Sequence, residues 1–389
     1  MIYLDHAATS PLRPEARAAM EPWWGVPANP SSVHRAGQRA AATLELAREQ
    51  VAALVGGRPE GVVFTSGATE ANHLFIAGAA TLAPPDRRRW LTSPIEHPCV
   101  LAAVERLASR GFTVERLPVD SSGRCTIPAL PAELAGLSLM AANHETGVLQ
   151  PIAAALAAAH AVGAVLHVDA TQAAGKIPLD LGAVDGVVLS SHKLGGPPGI
   201  GALILQDGEP FPPLLSGGSQ ERGRRAGTVP TALAAGFGAA CVAALKGMEQ
   251  RQEDHRSLML DLEDFLRGIG GEAVSQALGG PEASPEGSSA SDAFDGRIPG
   301  HTLVVFEGLE SESLVQALDI QGLCVSAGAA CASGSMEPSP VLTAMGHASP
   351  GSAVRISLGW NSTRADVERL KEVLPGVVAG VRLAAEMEG

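Results

Sequence analysis

The sequence predicts an α/β protein, a large domain on a mostly parallel sheet followed by a smaller α+β unit. Three observations lead there. Short apolar runs at Val62–Phe64, Leu137–Met140, Val165–Val168, Val187–Leu189 and Ala202–Leu205 read as strands buried on both faces. Ala-rich helical patterns lie between several of them, notably 69–80, 98–110 and 151–162, as right-handed crossovers require. Beyond a Gly-, Pro-, Ser- and Asp-rich stretch at 278–300, read as a surface loop, the pattern restarts. It then gives strand 301–307, helix 312–320, strand 353–359 and a long helix 363–387, which Thr363 and Asp366 open in the manner of a capping box. Residues 231–268 read as helical and lead out of the large domain. At 389 residues the chain exceeds one ordinary core. The expected division assigns 12–255 to the large domain and 1–11 plus 256–389 to the small one.

Composition narrows the function classes. A net charge of −13 argues against nucleic acid or an anionic membrane as the main partner. No apolar run reaches the roughly 18 residues of a spanning helix without interruption. The opening Met1–His6 lacks the basic and apolar regions of a signal peptide. Five scattered cysteines, an odd number, do not form a disulfide framework, and the expected compartment is a reducing cytoplasm. Cys324 and Cys331 lack further ligands at zinc spacing, so no structural metal is expected.

The chemistry concentrates at predicted strand ends, where open α/β sheets bind ligands. One apolar strand ends in Asp169, within His167-Val168-Asp169-Ala170-Thr171-Gln172. The next ends in Ser190-Ser191-His192-Lys193. A lysine to form a Schiff base and a buried acid to keep a pyridine nitrogen protonated suit pyridoxal phosphate. Thr65-Ser66-Gly67-Ala68-Thr69-Glu70 joins a strand to a helix whose N-terminal amides would receive the cofactor's phosphate. Ser190 and His192 add donors beside the lysine. His97, in Glu96-His97-Pro98, follows another strand and could lie flat on the ring; capping or core packing is its alternative. Gln172 could reach the ring hydroxyl, or simply face solvent. The basic, glycine-rich stretch 217–228 reads as an anion site, an interface or a solvated loop. Arg355, a charge inside a strand, could hold a carboxylate bidentately. Cys331 sits in Ser326-Ala327-Gly328-Ala329-Ala330-Cys331-Ala332-Ser333-Gly334, a run of small residues able to carry a thiolate to a substrate.

Together these segments resemble the cysteine desulfurases, in the aminotransferase class V branch of the fold-type I pyridoxal-phosphate enzymes. The matching blocks run from Tyr3-Leu4-Asp5-His6-Ala7-Ala8-Thr9, through Asn29-Pro30-Ser31-Ser32-Val33-His34, to Arg355-Ile356-Ser357-Leu358-Gly359, nearly the whole chain. The resemblance implies that Lys193 is the Schiff-base lysine, Asp169 the partner of the pyridine nitrogen, Gln172 the group on the ring hydroxyl and His97 the stacking imidazole. Ala68, Thr69, Ser190 and His192 match the phosphate cradle. Thr228 matches a residue reaching the phosphate from the other subunit, which implies a homodimer with shared sites. Arg355 is similar to the carboxylate anchor, and Cys331 to the persulfide-forming cysteine of the mobile-loop group.

Three departures stand out. His144, in Asn143-His144-Glu145, replaces an asparagine that normally acts with Asn143 near ring hydroxyl and substrate. Pro198 stands where a basic residue is common, and Ala329 where a serine is common. The implied reaction converts L-cysteine to L-alanine and leaves the sulfur as a persulfide for an acceptor or scaffold protein, in iron–sulfur assembly or thiolation. A selenocysteine lyase or another class V aminotransferase would keep the lysine and acid, although an aminotransferase would have no use for Cys331. A non-catalytic sulfur scaffold would need none of the three.

Overall fold

Apolar runs too short for helices and bounded by turn residues become sheet strands. The computed structural model describes residues 1–206, 210–274, 296–328 and 338–388. In chain order the first elements are β1 (Ile2–Tyr3), α1 (Pro14–Met20) and α2 (Arg35–Ala53). A proline opens α1, where its missing N–H would have had no partner. His34 caps α2, its Nδ1 accepting from the Gly37 amide at 3.2 Å. Next come β2 (Val62–Thr65), α3 (Ala68–Leu82), β3 (Arg89–Thr92), α4 (Pro98–Glu105), β4 (Thr113–Arg116) and β5 (Leu134–Ser138). They are followed by α5 (Ile152–Ala161), β6 (Val165–Asp169), β7 (Gly186–Ser190) and β8 (Gly201–Leu205).

Strands β2 to β8 form one seven-stranded sheet in the order β2-β8-β7-β6-β5-β3-β4. Its pairs are parallel except those of β8, which runs against both neighbours. The alternation of side chains explains why these strands carry so few polar residues. On β2, Val62 and Phe64 join the core beneath α2 and α6 while Val63 packs under α3. On β7, Val187 and Leu189 take the first face and Val188 the second. With helices on both faces, a side chain of such a strand must be apolar or find a hydrogen-bond partner. The expected run Leu137–Met140 is displaced: β5 begins earlier, at Leu134, and Leu139 and Met140 follow it as buried irregular chain.

The remaining elements are α6 (Thr231–Leu245), α7 (Met248–Gly268), β9 (Glu272–Ala273), β10 (His301–Val305), α8 (Ser311–Ile320), β11 (Leu323–Cys324), β12 (Ser326–Ala327), α9 (Pro340–Ala344), β13 (Ala353–Ser357) and α10 (Arg364–Glu388). The helical stretch 231–268 is broken where Gly247 adopts a left-handed φ of 67°, a conformation glycine takes without steric cost. A four-stranded antiparallel sheet, β12-β13-β10-β9, carries a second core of Leu258, Leu262, Val304, Leu314, Ile356 and Leu370. The N-terminus joins that core through Leu4, and β1 pairs in parallel with β11 as a separate two-stranded sheet. The capping box holds, with the Thr363 amide 2.7 Å from Asp366 Oδ2. Most of the expected loop 278–300 lies outside the described residues. No single helix among those described is long and apolar enough to cross a membrane.

Gly186, at the start of the central β7, is buried by close approach. A Cβ there would stand 2.2 Å from the Phe75 ring. Gly186→Ala should therefore lower stability by about 1–3 kcal/mol, and Phe75→Leu in the same chain should recover part of the loss. The urea midpoints of the single and double variants check this.

Candidate active site

Parallel strands bring their carboxyl ends to one edge, and the polar residues that follow them meet there. Asp169 ends β6, and Ser190 ends the adjacent β7, with Lys193 on the single turn that follows. These ends open into a cavity of about 470 Å³. Ala68, Thr69, His97, His144, Asp169, Gln172, Ser190, His192, Lys193 and Arg355 all line it. Ten of the residues singled out in the sequence, scattered over nearly 290 positions, thus share one space.

Asp169 is oriented on both oxygens, with Oδ1 accepting from the Thr171 amide at 3.0 Å and Oδ2 from Asn72 Nδ2 at 2.9 Å. The Lys193 amine donates to the carbonyls of Ala7 and Ala8. Gln172 Nε2 donates to the same Ala7 carbonyl at 2.9 Å, and its Oε1 accepts from Lys176 Nζ at 2.9 Å. Burial lowers the Lys176 pKa to about 7, with the Lys193 and Arg355 charges acting the same way.

The imidazoles are kept neutral. Burial lowers His97, partly opposed by the Asp169 charge. His144 lies well below its ordinary value, chiefly through burial, then through His97 and the nearby cations. His192 falls to about 4, by burial and then the Lys193 charge. His97 and His144 meet edge to face, 5.5 Å between centroids. Arg355, 2% exposed, donates to Asp5 Oδ1 at 2.8 Å and to the His144 carbonyl at 3.0 Å. Asp5 thus orients the guanidinium from the N-terminal segment.

A pyridoxal phosphate fits this donor set. An acid and an amine occupy one region of the cavity. No side chain caps the N-terminus of the 15-residue α3, and a Cβ on its Gly67 would meet only open space. Amides of such an end attract an anion. His144 Nδ1 and Arg355 Nε are buried without a hydrogen-bond partner among the described residues, capacity that a bound molecule can use. No metal-holding group of His, Cys, Asp and Glu occurs among those residues.

Two sequence-derived residues, Asn143 and Thr228, do not line the cavity. The Asn143 amide instead builds a buried turn: Nδ2 donates to the Ile95 carbonyl at 3.0 Å and Oδ1 accepts from the Glu145 and Thr146 amides. Its neighbour His144 faces the cavity in its place. Thr228 is exposed and borders a separate cleft with Asn29, Arg48 and Glu221. Cys331 and Ala329 lie outside the described residues. The arginines of stretch 217–228 are engaged within the chain, Arg222 and Arg224 on the Glu60 carbonyl and Arg225 on Glu70. Asn72, Cys99, Lys176 and Asp5 were not singled out from sequence. The signal for Asn72 was an amide on the apolar face of α3, between Ala71 and Leu74, where a buried polar group needs partners.

The geometry has counterparts in known proteins. The aminotransferase class-V family model matches residues 2–370. The chain belongs to the aminotransferase class V family. A "Cysteine desulfurase" of Cereibacter sphaeroides is 42% identical over 98% of this chain and 96% of its own length. An "IscS-like cysteine desulfurase" of Mycobacterium tuberculosis is 39% identical over 99% and 98%. A solved structure described as a NifS-like protein superposes with a TM-score of 0.87 at 29% identity, covering 97% of this chain and 99% of that one. Within the class V family, this chain therefore stands among the cysteine desulfurases, and such class V enzymes are generally pyridoxal-phosphate-dependent.

Behind the site of this class V protein, Glu96 is 3% exposed; Oε1 accepts from the Met140 amide at 2.8 Å and Oε2 has no partner among the described residues. Burial raises its pKa from the ordinary 4.5 to about 8. A carboxyl whose folded pKa is raised binds its proton more tightly when folded, so its contribution is complete below 4.5 and is lost as pH rises toward 8. Glu96→Gln should flatten the fall in stability across that window, at up to ~1.4 kcal/mol per pH unit. Urea unfolding of both proteins from pH 5 to 8 checks this.

Proposed function

We propose that this class V protein is a cysteine desulfurase that uses pyridoxal phosphate to convert L-cysteine to L-alanine and hands the sulfur on as a persulfide of Cys331. The observation that carries this reading is the placement of Lys193 and Asp169 at the ends of neighbouring parallel strands, in one cavity with an uncapped helix N-terminus. When bound, pyridoxal phosphate supplies an aldehyde for amines and a protonated ring that withdraws electrons from the substrate Cα.

The protein's own groups divide the remaining work. The α3 amides at Ala68 and Thr69, with Ser190 and His192, would hold the phosphate, and Thr228 of a second subunit would complete that cradle in a homodimer. Asp169, fixed by Asn72 and the Thr171 amide, would meet the ring nitrogen. Gln172 would meet the ring hydroxyl. Arg355 grips the substrate carboxylate with donors held by Asp5 and the His144 carbonyl. Lys193 takes the Cα proton, and His97 moves the proton of the substrate thiol. The Cys331 thiolate attacks the substrate sulfur: an S–S bond forms, and the Cβ–S bond breaks with its electron pair left on carbon, which is protonated on the way to alanine. An acceptor protein then takes the persulfide sulfur in the cytoplasm.

Purified protein given L-cysteine and a thiol reductant should form alanine and sulfide in equal amounts. Cys331→Ala should keep the yellow cofactor and lose sulfur transfer, while Lys193→Ala should form neither product. Pyruvate in place of alanine, or a Cys331→Ala variant as active as the parent, would refute the reaction. Arg355→Lys, which keeps the charge but not the planar fork, should raise KM for cysteine about tenfold while changing kcat less.

A further inference from the structure

A chain of buried hydrogen bonds runs behind the site, and its ends fix the direction of every proton in it. At the far end the Trp90 indole, which can only donate, bonds Ser138 Oγ at 3.0 Å. Ser138 Oγ lies 3.2 Å from His167 Nδ1, and His167 Nε2 lies 2.9 Å from Asn72 Oδ1. Asn72 Nδ2 then donates to Asp169 Oδ2 at 2.9 Å and to Cys99 Sγ at 3.2 Å. Cys99 Sγ lies 2.9 Å from His97 Nδ1, which also accepts the Cys99 amide at 3.2 Å. Trp90, Ser138, His167 and Asn72 are all fully buried, so water does not relax the pattern.

The assignment follows by elimination. An ionised Asp169 only accepts, so Asn72 must turn its NH2 toward it and its carbonyl toward His167. His167 must then carry its proton on Nε2, which leaves Nδ1 to accept the one proton of Ser138. On the other branch, Nδ1 of His97 already takes a backbone N–H, so the thiol donates to it and the ring proton sits on Nε2. Burial, aided by the Asp169 charge, raises the Cys99 pKa to about 12, keeping the S–H in place.

We propose that Asn72 is a positioning residue for the reaction: one buried amide orients the Asp169 carboxylate and, by donating to the Cys99 sulfur, turns the thiol proton onto His97 Nδ1, where it joins the Cys99 amide in holding the Nε2–H tautomer and in fixing the ring through which His97 exchanges protons. The inference rests on the roles given to Asp169 and His97 above, but its test is separable from theirs. In full-length protein labelled with 15N-histidine, with and without pyridoxal phosphate, long-range 1H–15N spectra should place the protons of both His97 and His167 on Nε2. Cys99→Ala, which keeps the backbone donor but removes the thiol, should leave the His167 signal unchanged, move the His97 Nδ1 resonance downfield as a ring nitrogen losing a hydrogen-bond donor does, and lower kcat about tenfold with KM nearly constant; Cys99→Ser, which keeps a donor, should restore both. Asn72→Ala should weaken cofactor binding about tenfold as well. A wild-type His167 or His97 proton on Nδ1, or a His97 Nδ1 resonance indifferent to Cys99→Ala, overturns the proposal. An inactive wild type with both tautomers as stated overturns the desulfurase reading and upholds the network.

Discussion

The parallel pairing of β6 with β7 is the constraint on which the rest depends. Two strands running the same way must end at the same edge, and here the residues at those ends are Asp169 and the turn carrying Lys193. An antiparallel pairing of the same segments would place acid and amine at opposite edges of the sheet. The parallel arrangement needs helices over both faces, and that cover is what dries the cavity floor. Gly186 shows how tightly the cover fits, with the Phe75 ring in the space of a side chain.

Dryness decides the charges. Burial holds His97, His144 and His192 below their ordinary pKa, so three imidazoles in one cavity do not accumulate positive charge. Neutral rings can donate from one nitrogen and accept on the other, which charged rings cannot. The same burial would be costly for Asp169, and its hydrogen bonds from Asn72 and the Thr171 amide offset that cost.

The N-terminal segment ties the two sheets together at the site. β1 pairs with β11, the Ala7 and Ala8 carbonyls receive Lys193, and Asp5 orients Arg355. The carboxylate-gripping arginine and the reactive lysine are thus referenced to the same few residues. A short stretch of chain with little regular structure of its own sets the distance between them.

Much of this was legible in the sequence. Apolar runs of four or five residues between Ala-rich helices specify buried strands, and the polar residues at their ends mark a ligand edge, because both follow from local periodicity and composition. The break between α6 and α7 is not legible in this way: 231–268 carries one helical pattern, in which Gly247 looks like a tolerated interior residue. What the tertiary structure alone decided was partnership. Asn72 reads as an ordinary helix residue until His167 and Asp169 are folded against it. Asn143 reads as a site residue until its amide is seen to be spent on a turn. Cys99 counts only as one of five scattered cysteines until it is found beside His97. The reversal of β8 and the placing of Asp5 on Arg355 belong to the same class. Local pattern fixes which groups are present and which face they take; hydrogen bonds between residues tens to hundreds of positions apart depend on how the elements pack, and sequence periodicity carries no record of that.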